Sequence, residues 1–220
     1  MDLFDDIERE AVLPLAPGAA LLRGFARDDA TALLDAVAGI AAQALFRHLV
    51  TPGGHTMSVA TTSCGALGWT SDDSGYRYTA CDPATGRHWP AMPNALRQLA
   101  QSAAALAGFA GFTPDACLIN RYAPGARLTL HQDRNEHDFA APIVSVSLGI
   151  PAVFLFGGMK RSDPTRKLRL AHGDVVVWGG PARLRFHGIL PLAHATHPLT
   201  GDCRINLTFR KAGRNGQVVR

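Results

Sequence analysis

Cysteine is scarce in this 220-residue chain, and none of it is paired in sequence. Cys64, Cys81, Cys117 and Cys203 stand far apart with no CxxC spacing, so neither a structural zinc site nor a disulfide scaffold is expected. Lone thiols are most at home in a reducing cytoplasm, and that is the expected location. No apolar run reaches membrane-spanning length, so no membrane partner is expected. The opening MDLFDDIERE is acidic and lacks the apolar stretch of a secretory signal peptide. Internal repeats and low-complexity tracts are also missing, which sets aside repeat arrays and disordered linkers. What is present is a 47% hydrophobic fraction, enough for a sizeable core. The net charge of +4 permits a polyanionic partner without demonstrating one.

The pattern along the chain is helical early and extended late. A short strand is expected at Ala20–Phe25. Asp28 or Asp29 can cap a helix carrying Leu33, Leu34, Val37, Ile40 and Ala41 on one side. A second helix follows Pro93-Asn94, with Leu96, Leu99, Ala100, Ala103 and Leu106 on one face and a stop at Gly108. Between them, Thr51 to Pro90 is rich in Gly, Ser, Thr and interleaved aromatics, and reads as short surface hairpins. From Asp115 onward eight strands are predicted: Ala116–Tyr122, Ala126–His131, Ile143–Leu148, Ala152–Phe156, Leu168–Ala171, Val175–Trp178, Leu184–Leu190 and Asp202–Arg210. Strands at this spacing suggest a sandwich or jelly roll, with the two helices covering one sheet face.

The stretch LTLHQDRNE, residues 128–136, puts His131 and Asp133 two apart, on one face of an extended segment. They are either a hydrogen-bonded surface pair or two ligands of a 2-His-1-carboxylate metal site. A second HxD, His172-Gly173-Asp174, precedes the run VVVW, so Asp174 reads as a turn residue instead. In an eight-stranded jelly roll, strands two and seven are neighbours. His131 falls on the second and His187 on the seventh, with room for four strands between. His194 and His197 lie in a loop-like HATHP stretch and are weaker candidates. Spacing alone leaves both the surface pair and the His131, Asp133, His187 triad open.

The last strand adds a second feature. In RINLTFR, Ile205, Leu207 and Phe209 face one way; Arg204, Asn206, Thr208 and Arg210 face the other. Two arginines about 20 Å apart at the backbone could fold inward and grip the two ends of a dicarboxylate, because a guanidinium fork matches a carboxylate. A solvated basic face on an edge strand is the plainer alternative. Asn120 and Tyr122 share a face of the first core strand and could contribute to the same ligand site.

Taken together, NRYAPGARLTLHQDRNE (120–136), PIVSVSLGIPAVFLFGG (142–158), HGDVVVWGG (172–180), RFHGI (185–189) and CRINLTFR (203–210) resemble the AlkB family of Fe(II)/2-oxoglutarate-dependent dioxygenases. TPGGHTMSVA and LGWTSDDSGYRY resemble its bacterial DNA-repair members. The resemblance implies a mainly β fold with flanking helices (α+β), built on a double-stranded β-helix, or jelly-roll, core. It implies one dioxygenase domain over 1–220: helical support at about 1–50 and 91–112, a nucleotide-recognition lid at 51–90, the core at 115–211 and a flexible tail at 212–220. His131, Asp133 and His187 match the iron ligands. Asn120, Arg121, Tyr122, Arg204, Asn206 and Arg210 match the 2-oxoglutarate positions. Trp69, Tyr76, Arg77, Tyr78, Asn135 and Arg161 match substrate-facing positions. One departure stands out: Asn135 occupies a position where the bacterial-type members carry Asp.

The implied cofactor and cosubstrates are Fe(II), 2-oxoglutarate and O2. The implied activity is oxidative demethylation of 1-methyladenine and 3-methylcytosine, releasing formaldehyde, with succinate and CO2 as co-products. The expected substrate is single-stranded or base-flipped double-stranded DNA, with RNA as an alternative, and the expected state is a monomer. Two other readings compete: an oxygenase acting on RNA or another substrate, and a cupin-like module that binds a metal or acidic ligand without turnover.

Overall fold

The strict alternation of RINLTFR is the key to the architecture, because it demands an apolar layer on one side and a polar chamber on the other. The computed structural model describes residues 12–213. Its elements are β1 (Val12–Ala16), β2 (Ala19–Leu22), α1 (Ala30–Gln43), β3 (Arg47–Val50), β4 (Thr56–Gly65), β5 (Gly68–Asp72), β6 (Gly75–Thr79) and α2 (Asn94–Leu106). They continue as β7 (Ala116–Tyr122), β8 (Leu128–His131), β9 (Ile143–Gly149), β10 (Ala152–Phe156), β11 (Arg166–Leu170), β12 (Val175–Trp178), β13 (His187–Ile189) and β14 (Arg204–Arg210).

The large sheet has the order β1-β2-β12-β9-β14-β7-β4-β3, and a smaller one has the order β11-β10-β13-β8. The jelly-roll expectation therefore holds. β14 lies at the centre, paired antiparallel with β9 and β7, and all seven of its residues are buried. The edge-strand alternative for its arginines is thereby excluded. Ile205, Leu207 and Phe209 enter one core cluster with Leu33, Val37 and Ile40 of α1 and Leu96, Leu99 and Ala103 of α2. The other cluster, with Ile143, Phe154, Phe156, Leu168, Leu170 and Trp178, fills the space between the sheets. Both helices thus bury their apolar stripes on the outer face of the large sheet, leaving its inner face to the smaller sheet.

Several boundaries differ from the sequence reading. Part of the segment 51–90, expected as a lid, belongs to the core instead: β4 pairs with β7 inside the large sheet, and its residues from Val59 to Cys64 are buried. Ser and Thr looked like turn chemistry, but Thr is also a good strand residue, and the buried Thr62 hydroxyl donates to the Ala44 carbonyl at 2.7 Å. Among the described residues, only β5 and β6 form a separate hairpin. Asp29 stands at the N-cap of α1 but makes no side-chain capping bond. The extended stretches around β8 and β13 are shorter than expected. Gly188, in the middle of β13, is required by close approach: a side chain there would meet the Leu128 carbonyl oxygen at 2.8 Å. The acidic opening decapeptide and residues 214–220 of the expected tail lie outside the described residues. Ala212 and Gly213 are held, their amides donating to the Asp115 carboxylate at 2.6 and 3.0 Å. No described helix is long and apolar enough to cross a membrane.

Candidate active site

Strand pairing brings the two histidines together. β13 pairs antiparallel with β8, and His187 sits directly opposite His131. Their ring centroids are 4.4 Å apart. Asp133 follows the end of β8 and turns its carboxylate between them: Oδ1 is 3.6 Å from His131 Nε2 and Oδ2 is 3.8 Å from His187 Nε2. One ligand atom from each residue lies within 4.8 Å of the others. The outer ring nitrogens are already engaged. His131 Nδ1 is 2.8 Å from the Thr129 carbonyl, and His187 Nδ1 is 3.0 Å from the Arg185 carbonyl. A carbonyl only accepts, so each Nδ1 carries a proton, which leaves Nε2 as the ring position turned inward that can ligate a metal.

The charge states fit a cation. Burial pushes the His187 imidazole down, to about 4, helped by His131. Burial works against the Asp133 carboxylate, but Arg210, His187 and His131 together outweigh it and hold the carboxyl well below its usual range. Two imidazoles with Nε2 turned inward and one ionised carboxylate are a donor set that suits Fe(II). The second HxD does something else. Asp174 accepts from the amides of Gly24 and Ala171 and from Arg23 Nη1, at 2.9, 2.8 and 2.7 Å. His172 Nδ1 accepts from the Gly149 amide at 3.0 Å, and its ring stacks on His197.

Beside the triad, the polar face of β14 forms a wall of one cavity of about 930 Å³. Arg204, Asn206, Thr208 and Arg210 line it, with Asn120 and Tyr122 from β7. Arg204 is 1% exposed; its Nη2 donates to Ser147 Oγ at 2.9 Å and its guanidinium lies 4.8 Å over the Tyr122 ring. Arg204 Nε and Nη1 and Arg210 Nη1 have no hydrogen-bond partner among the described residues. Leaving a buried donor unpaired costs about 1–3 kcal/mol, and more for a charged group. Such a cost is offset by an anionic guest, and a dicarboxylate such as 2-oxoglutarate has the required acceptors at both ends. Asn206 Nδ2 donates to Ser145 Oγ at 2.9 Å and to the Val146 carbonyl at 2.8 Å, which fixes its orientation. Arg121 is a correction. Strand alternation turns it away from Asn120 and Tyr122, and its guanidinium sits over Phe46 at 4.7 Å, outside the cavity.

The mouth of the cavity is built by the β5–β6 hairpin. Trp69 and Tyr76 stack with centroids 5.6 Å apart and planes 13° from parallel. They line the cavity together with Tyr78, Asn135 and Arg161. Arg77 does not, because alternation along β6 directs it to the other face, where it pairs with Asp72. Arg161 lies 5.3 Å over the Phe186 ring. Trp69 Nε1 is 3.5 Å from Asn135 Oδ1.

Glu136 is not among the candidates read from the sequence, yet it belongs to the site. Residues 132–142 are not a strand, so alternation does not apply there. Glu136 is 6% exposed and accepts from the Tyr78 hydroxyl at 2.7 Å and from Arg183 Nη2 at 2.9 Å, with Arg210 Nε at 3.4 Å. Burial first, then Glu136 and Asp133, raises the Tyr78 phenol well above its ordinary value. Arg183 and Gln132, which tie the same segment down, were also missed. Nothing in their sequence context marks them.

The comparisons agree with this geometry. The sequence profile of the 2OG-Fe(II) oxygenase superfamily matches residues 18–210. The chain is 59% identical over 214 residues to the alpha-ketoglutarate-dependent dioxygenase AlkB of Escherichia coli strain K12, covering 97% of this chain and 99% of that one. It is 35% identical over 119 residues to the nucleic acid dioxygenase ALKBH1 of Mus musculus, covering 53% of this chain and 29% of that one. The solved structure of OsALKBH1 superposes with a TM-score of 0.79 at 27% identity, over 91% of this chain and 100% of that one. A jelly roll with an inward His-Asp-His set, buried unpaired guanidinium nitrogens beside it and near-full-length identity to an AlkB dioxygenase leave one assignment: the chain belongs to the AlkB family of Fe(II)/2-oxoglutarate-dependent dioxygenases.

Proposed function

We propose that the protein removes N-linked methyl groups from 1-methyladenine and 3-methylcytosine in DNA, reversing alkylation damage directly. The observation that carries this is the shared cavity: the His131, Asp133, His187 set, the unpaired nitrogens of Arg204 and Arg210, and the aromatic hairpin all face one space.

In this reading His131, Asp133 and His187 hold Fe(II). Arg204 and Arg210 receive the carboxylates of 2-oxoglutarate, with Asn120, Tyr122 and Asn206 lining the space between. Fe(II) held there, with 2-oxoglutarate and O2, would supply the oxidant, one oxygen atom ending in succinate, formed with CO2, and the other on the methyl carbon. The N-hydroxymethyl group then loses formaldehyde, and the base nitrogen is restored. Phe154 and Trp178 pack on the His187 ring, at 6.0 and 4.9 Å between centroids, and exclude water from that side. Trp69 and Tyr76 offer a stacking surface to a base that has left its duplex or arrives in a single strand. Arg161 places a positive charge at the mouth, where a phosphate backbone would pass.

The test is mass spectrometry of a 1-methyladenine DNA oligonucleotide after incubation with protein, Fe(II), ascorbate and 2-oxoglutarate. Loss of the methyl group with formaldehyde release is expected. Turnover of 2-oxoglutarate with the DNA left methylated, and a methylated RNA oligonucleotide repaired in parallel, would move the assignment to RNA.

A further inference from the structure

Arg183 follows the short 3-10 turn Gly180–Ala182 and is 3% exposed. It lies outside the cavity lining. All three of its side-chain nitrogens hold one segment of chain. Nη1 donates to the Asp133 carbonyl at 2.7 Å, Nη2 to Glu136 Oε2 at 2.9 Å and Nε to the Ala141 carbonyl at 3.2 Å. Its guanidinium also lies 5.3 Å over the Phe139 ring. The segment it grips has no strand ladder of its own, its His137 amide donating to the Ala212 carbonyl at 3.1 Å, so side chains must supply the other ties that fix its path. A neighbouring tie acts in the same place: Gln132 Nε2 donates to the Leu184 carbonyl at 2.6 Å. The main chain around Asp133 is therefore anchored to residues that lead directly into His187.

We propose that Arg183 is a positioning residue for the metal site: it sets the Asp133 carboxylate against the two imidazoles and, through Glu136, registers the hairpin residue Tyr78 and the cosubstrate-side Arg210 to the same frame. The inference rests on the reading of His131, Asp133 and His187 as metal ligands. Glu136 is the junction, because its two oxygens divide the work. Oε2 meets Arg183, while Oε1 accepts from Tyr78 and faces Arg210 Nε. Three acceptors in three directions require a planar fork, and an ammonium on a flexible stem cannot serve them together. Groups behind a ligand commonly set metal affinity by about 10- to 100-fold.

The experiment is titration of metal-stripped full-length protein with Mn(II) by calorimetry, with the Co(II) absorption spectrum as a second readout and thermal melting alongside. Arg183→Lys and Arg183→Met are each expected to weaken Mn(II) binding by about 10- to 100-fold and to shift the Co(II) band. Glu136→Gln, which keeps shape and removes one charge, is expected to weaken Mn(II) binding by a smaller factor. A folded Arg183→Lys protein with the wild-type Mn(II) affinity and Co(II) spectrum, whatever its melting temperature, overturns the proposal. Should neither Arg183 variant fold, a Glu136→Gln protein with wild-type metal affinity overturns it. Failure of the underlying metal assignment is distinguishable, since wild type and His187→Ala would then bind Mn(II) equally.

Discussion

Arg210 Nε and Nη2 both donate to one oxygen of Asp133, Oδ2, at 2.9 and 2.5 Å. A residue expected only to grip a cosubstrate is also the counterion of a proposed metal ligand. Burial disfavours the Arg210 charge, yet Asp133, Tyr78 and Glu136 more than compensate and raise its pKa further. The two ends of β14 should therefore behave differently, although their arginines look equivalent in sequence.

Arg204→Ala should weaken 2-oxoglutarate use alone, raising its apparent KM by the equivalent of about 2–5 kcal/mol for a buried charge pair. Arg210→Ala should do this and also damage metal binding, since removing one partner of a buried ion pair costs about 3–5 kcal/mol. Paired titrations of 2-oxoglutarate and Mn(II) separate the two effects. Equal loss of metal affinity in both variants would refute the division of labour.

The two HxD motifs should separate as cleanly. His131→Ala, Asp133→Ala and His187→Ala should each abolish demethylation. Asp174→Asn should keep metal affinity but lower the melting temperature, because Asp174 is 2% exposed and accepts from Arg23 and two amides. Each hydrogen bond to a charged group contributes about 1.5–3 kcal/mol. An active, well-folded His187→Ala protein would end the triad assignment.

Legibility followed regularity. In β14 a period of two fixed which side chains met the helices and which met the cavity, and this could be read directly from RINLTFR. The meeting of His131 and His187 was legible because jelly-roll strand order makes strands two and seven neighbours, as their pairing bears out, whereas reading them with Asp133 as a ligand set took the family resemblance. Arg121 and Arg77 are carried over from the family resemblance, and strand alternation turns each away from its flanking cavity residues. Glu136 was illegible for the opposite reason. Its segment has no period, so only the tertiary grip of Arg183 decides where it points. β4 was hidden by composition, since small hydroxyl residues suit turns and buried strands alike.

A pH dependence of stability should come from His172. Burial first, then His197 and Arg27, lowers its pKa below 6.5. Nδ1 must stay unprotonated to accept from the Gly149 amide. The unfolded chain therefore takes up this proton before the folded one does. The contribution is fully present above about pH 6.5, the ordinary value for the group, and is lost as pH falls through the lowered folded value. Melting temperatures from pH 5 to 8 should show a steeper acid-side fall for wild type than for His172→Asn. Parallel curves would show that another group governs that limb.

The last expectation concerns Asn135, which stands at the cavity mouth with its Oδ1 facing Trp69 Nε1 at 3.5 Å. An Asp there would keep the acceptor and add a charge. Glu136 cannot supply that charge to a guest, because Arg183 and Arg210 already neutralise it. 1-Methyladenine is cationic, whereas 3-methylthymine is neutral, so an added carboxylate distinguishes them electrostatically. Two unit charges 4 Å apart in water attract by about 1 kcal/mol, which corresponds to about 5-fold in a rate ratio. Asn135→Asp should therefore raise kcat/KM for 1-methyladenine relative to 3-methylthymine by about that factor. The two lesions should compete in one oligonucleotide context at fixed salt, since phosphate contacts vary with ionic strength. Asn135→Ala serves as the reference, removing the acceptor without adding charge. A ratio that stays flat or falls in Asn135→Asp would mean that this side chain does not face the base, and that Trp69 is its only partner of consequence.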